Sequence, residues 1–67
     1  MNETLKARAF QLCETNGVDW VLKQISKDMS LASDAMVKEN ERRMAAIRIG
    51  YWQQWMLEKS FELLEQL

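Results

Sequence analysis

The 67-residue sequence predicts an all-α fold of three helices, two short N-terminal ones and one long C-terminal one, in a single domain spanning 1–67. Three observations predict it. The chain has no proline and only two glycines, so little interrupts a helix. Its five methionines and many Leu, Glu, Lys, Arg and Gln residues are strong helix formers, while β-branched residues are few. Apolar positions also recur at three- and four-residue spacing along most of the chain.

The first helix is expected from about Glu3 to Thr15, capped by Asn2, with Leu5, Ala9 and Leu12 on its apolar face, widened by Phe10 and Cys13. Asn16-Gly17 ends it, because glycine accepts the left-handed conformation that closes a helix. Asp19 is the expected cap of a second helix from Trp20, with Leu22, Ile25 and Met29 as its stripe, led by Val18. A break is expected near Ser30 to Ser33, with Ser30 or Ser33 capping the next helix and Asp34 in its first turn. The alternative is one helix from Asp19 to about Glu39, since the stripe keeps its spacing through Ala32 and Met36. From the serines onward the sequence reads as one long helix to about Gln66. Gly50 stands inside it as a site of close packing or mild bending.

That long helix carries two apolar stripes. Ala45, Ile49, Trp52, Met56, Leu63 and Leu67 form one, flanked by Leu57, Phe61 and Leu64. Met44, Ile47, Tyr51 and Trp55 form a second near the opposite side, continued by the acids Glu58, Glu62 and Glu65. Two short helices cannot cover both stripes of so long a rod.

Size points the same way. A chain of 7.9 kDa buries only about 60% of its unfolded surface, and such domains usually rely on a staple, a metal or a partner. One cysteine excludes an internal disulfide, and the lack of histidine removes ordinary zinc sites, haem ligation and imidazole acid–base chemistry. Self-association remains, so a homodimer through the long helix is expected, with Met44, Ile47, Tyr51, Trp52, Trp55 and Met56 as the dimer or partner interface. The Glu58, Glu62 and Glu65 face would mark the end of that contact, or the reach of a partner's Arg42, Arg43 or Arg48.

The net charge of −1 exerts no general pull toward nucleic acid or acidic membrane. The alternative reading is a small dimeric DNA-associated regulator using Lys38, Arg42, Arg43 and Arg48. Against it, Glu39 and Glu41 interleave that segment, and Glu39 is spaced to pair with Arg42 or Arg43 on the same helix. No catalytic residue set, cofactor site or metal site is expected. Cys13 reads as a small buried hydrophobe. The N-terminus lacks a signal-peptide pattern and no apolar run approaches a membrane span, which predicts a cytoplasmic protein.

The segment Leu5-Lys6-Ala7-Arg8-Ala9-Phe10-Gln11-Leu12-Cys13-Glu14-Thr15-Asn16-Gly17-Val18-Asp19-Trp20, together with the overall size, resembles small early proteins of lambda-like bacteriophages encoded between the excision and recombination genes. The resemblance carries no catalytic or ligand motif and transfers no residue role. It implies a non-enzymatic helical protein in the infected bacterial cytoplasm, influencing host processes or the choice between lysis and lysogeny, with a host or phage protein as partner.

Overall fold

A computed structural model describes the backbone of residues 2–67 and the side chains from Thr4 onward. The three helices are α1 (Asn2–Asn16), α2 (Val18–Ser33) and α3 (Glu39–Glu65). The expected side-chain cap from Asn2 lies outside the described residues.

Gly17 makes the first boundary. Its φ of 88° suits a residue without a side chain, and its amide closes α1 on the Cys13 carbonyl at 2.8 Å. Thr15 and Asn16, the last two residues of α1, turn their side chains back onto the carbonyls of Gln11 and Leu12. The Gly17 carbonyl then accepts the Val21 amide, so Gly17 also opens α2. Asp19, expected as the cap, sits in the first turn, where its charge still favours the helix N-terminus.

The break after α2 falls at Ser33, within the expected segment, but the serines do not cap another helix. Ser33 donates back to the Met29 carbonyl at 2.8 Å, and the Asp34 carboxylate accepts the Met36 amide at 2.9 Å in a local turn. Residues 34–38 therefore form a connection, and α3 starts later than expected, at Glu39. It runs uninterrupted through Gly50. A Cβ there would meet nothing within 4 Å, so the close packing expected at Gly50 does not occur within the chain.

The helices pack up, down and up. Trp20 near the start of α2 meets Trp52 edge-on at 5.7 Å, and the Trp55 indole on α3 reaches Glu14 near the end of α1. The α1–α2 turn therefore lies beside Trp52 and Trp55. The core is Ala9 and Cys13 from α1, Val21 from α2, and Trp52 and Trp55 from α3, joined by partly buried Phe10, Trp20, Ile25, Tyr51 and Met56.

Two expectations change at this level. The α2 stripe Val18, Leu22 and Met29 is exposed; the inward face is Val21, Ile25 and Asp28. Trp55, expected on a stripe with no partner inside the chain, is buried by its own α1 and α2. The reason is volume: with so few residues, only the indoles fill the space between the three helices.

What the short helices cannot do is reach the end of α3. Every residue from Ser60 to Leu67 is exposed, including Phe61 and Leu64. The chain is 45 Å long and 17 Å thin, with a radius of gyration of 13.0 Å against about 11 Å for a compact chain of this length.

Candidate interaction surface

Two features stand out beyond the core: a buried ionic network and an open apolar face. The network centres on Asp28, which is 3% exposed. Arg48 Nη2 donates to its Oδ1 at 2.9 Å and Arg48 Nε bonds the same carboxylate at 3.2 Å, while Trp52 Nε1 donates to Oδ2 at 2.8 Å. Burial by itself would raise the Asp28 pKa; the hydrogen bonds from Arg48 and Trp52, with the charges of Arg48 and Lys27, outweigh it and hold the carboxyl below its ordinary value. The hydrogen bond to Asp28 raises the Arg48 pKa in turn, against the opposing effect of burial. Both groups stay charged at neutral pH. They lock α2 to α3.

Asp28 is not among the residues the sequence analysis singles out. A signal for it exists: Val21, Ile25 and Asp28 follow the 4-3 helical spacing of one face, so the carboxylate occupies an apolar register. Cys13 is fully buried, and burial, helped by the adjacent Glu14 charge, pushes its thiol up to about 11. A thiol in that state is a poor nucleophile.

The apolar face begins as a groove between α1 and α3. Leu5, Leu12, Met44, Ile47 and Tyr51 line it, with Arg8 and Arg48 at its polar edge, around a cavity of roughly 230 Å³. Leu5, Leu12, Met44 and Ile47 are each between 37% and 42% exposed, which for core-type side chains in a small domain is open surface. Further along α3, Leu57 on the outer side of the bundle and Phe61 and Leu64 on the stretch beyond it are more than half exposed.

The residues expected at the interface thus divide. Met44 and Ile47 lie on the open face, and Tyr51 lines its groove while remaining partly buried. Met56 is partly buried against the core. Trp52 and Trp55 are 4% exposed and have no surface left to offer. Leu57, Phe61 and Leu64 flank the broad stripe in the sequence, but only the packing and lengths of α1 and α2 reveal that they are uncovered.

The basic set divides as well. Arg48 is held by Asp28, and Arg43 pairs with Glu39 at 3.0 Å along the helix surface. Arg42 turns its Nε into a buried position with no hydrogen-bond partner among the described residues. Lys38 is exposed at the N-cap of α3. Two of the four, Arg43 and Arg48, are thus engaged by acids of this chain. Among the described residues no group of three or more acids or cysteines is placed to share a metal, and no helix is long and apolar enough to cross a membrane.

No family model matches the chain, and no curated protein or solved structure shows significant similarity to it.

Proposed function

We propose that the protein is a non-enzymatic protein–protein interaction module that acts as a homodimer. The observation that carries this reading is the open apolar face running from the α1–α3 groove to the uncovered end of α3. Leu5, Leu12, Met44 and Ile47, continued by Leu57, Phe61 and Leu64, present a surface that water disfavours and a second protein would bury. The ionisable groups inside the fold argue against catalysis: Asp28 and Arg48 satisfy each other, and Cys13 is sealed and protonated. The resemblance of Leu5 to Trp20 to early phage proteins connects such a module with a regulatory or accessory role in an infected bacterial cytoplasm.

Light scattering on a sizing column, over a range of concentrations, tests the reading. A mass near twice 7.9 kDa is expected. A folded monomer at every concentration would remove self-association from the function.

A further inference from the structure

We propose that the occupant of the open face is a second copy of this chain, paired antiparallel along α3 about a twofold axis near Gln54. In that arrangement the uncovered end of each α3 lies in the α1–α3 groove of its partner. The proposal rests on the homodimer reading above and specifies its geometry.

Four observations converge on it. The first is spacing: Ile47, Gly50, Gln54, Leu57, Phe61 and Leu64 succeed one another at 3-4-3-4-3 along α3, the seam of a two-helix coil. All six positions are exposed in the chain by itself, Ile47 also lining the α1–α3 groove.

The second is complementarity. Centring an antiparallel pair on Gln54 sets Ile47 opposite the partner's Phe61, and Met44 opposite the partner's Leu64. The same register brings Arg43, which within its own chain pairs with Glu39 on the helix surface, within reach of the partner's Glu65 as an opposite charge. A parallel pair would instead stack Glu58, Glu62 and Glu65 on their own copies, which is repulsive. Lengths agree too. Leu57 to Leu64 spans about 10 Å of helix, as do Leu5 to Leu12 and Met44 to Tyr51, the two walls of the groove.

The third is area. The chain exposes 5344 Å², whereas a compact monomer of its mass exposes about 4,400 Å². The excess is close to the roughly 800 Å² that each partner contributes to a standard stable interface.

The fourth is Gly50. Glycine inside a helix costs about 1 kcal/mol relative to alanine, and apart from its own turn of helix nothing of this chain lies within 4 Å of where a Cβ would stand. On the seam, one turn from the axis, it lets the partner helix approach closely.

The test is disulfide trapping in the full-length chain. Cys13 is buried and inert, and need not be removed. In the double variant Arg43→Cys/Glu65→Cys the two thiols of one chain are about 33 Å apart along the helix and cannot join. Mild oxidation is expected to give covalently linked dimers of this variant, and almost none of either single variant. Separately, Ile47→Glu and Phe61→Glu should each weaken the dimer about a hundredfold in sedimentation equilibrium while leaving the helical circular dichroism unchanged. A wild-type dimer in which a single-cysteine variant links to itself, or in which the double variant stays unlinked, overturns this geometry and leaves self-association standing. A wild-type chain that is monomeric throughout overturns both.

Discussion

Asp28 is the buried polar residue of the fold among those described, and four hydrogen bonds from the α3 side chains Arg48 and Trp52 converge on its carboxylate. Removing one partner of a buried pair usually costs about 3–5 kcal/mol. Here Arg48 keeps 38% of its side-chain surface in water and is partly rescued by solvent, so Asp28→Ala should cost about 2 kcal/mol in urea unfolding. The sign of the pH effect comes from the lowered pKa. A carboxylate lower in the fold than in the unfolded chain contributes fully above its ordinary value of 3.8, and that contribution is lost as pH falls through the folded value. Thermal melts should therefore show the wild type losing stability below about pH 4 more steeply than Asp28→Asn. Equal slopes would mean that the carboxylate is not ionised in the fold. The indoles belong to the same scale. Trp55→Glu would place a charge in the core and unfold the chain, so it cannot report on an interface.

At the scale of the element, α3 turns one face, with Ala45, Trp52 and Trp55, into the core and leaves another, on which Gly50 stands, exposed. Within the chain a methyl group at Gly50 meets open space, so Gly50→Ala should raise the unfolding free energy of the dilute protein by about 1 kcal/mol through helix propensity. Gly50→Leu should have nearly the same folding benefit yet weaken self-association, because its side chain would stand on the seam. A leucine variant that self-associates as tightly as the wild type would deny Gly50 any role in close approach. The exposed Val18, Leu22 and Met29 of α2 carry a second lesson at this scale. A helical stripe read from spacing identifies an apolar face, but which face turns inward depends on neighbours, and Asp28 with its partners on α3 turns this one.

For the whole molecule, the mismatch of lengths is decisive. α1 and α2 have 15 and 16 residues and are joined by a tight turn, whereas α3 has 27. The hairpin ends beside Trp52 and Trp55, capped by Lys59 over the Trp55 ring at 5.8 Å, and the helix continues past it. Since all residues from Ser60 onward are exposed, a chain ending at Lys59 should keep its fold, with thermal stability near that of the full-length monomer. It should sediment as a monomer at concentrations where the full chain is dimeric. A truncated chain that still dimerises would assign the contact to the groove and the first half of α3 alone.

The all-α class, the turn at Gly17, the end of α2 by Ser33 and the continuity of α3 through Gly50 were legible in the amino-acid order, because caps, propensities and breakers act within a few residues of themselves. The same holds for the excess of apolar surface on α3, which comes from counting. Tertiary structure alone decided how that surface is divided. Trp52 and Trp55 went to the core because theirs are the side chains large enough to fill a space bounded by three helices, and Asp28 joined them because Arg48 and Trp52 meet it across a separation of 20 and 24 residues. Phe61 and Leu64 remained outside because the hairpin ends before it reaches them. Spacing along one helix says which residues share a face; only the packing of another helix says which face is used.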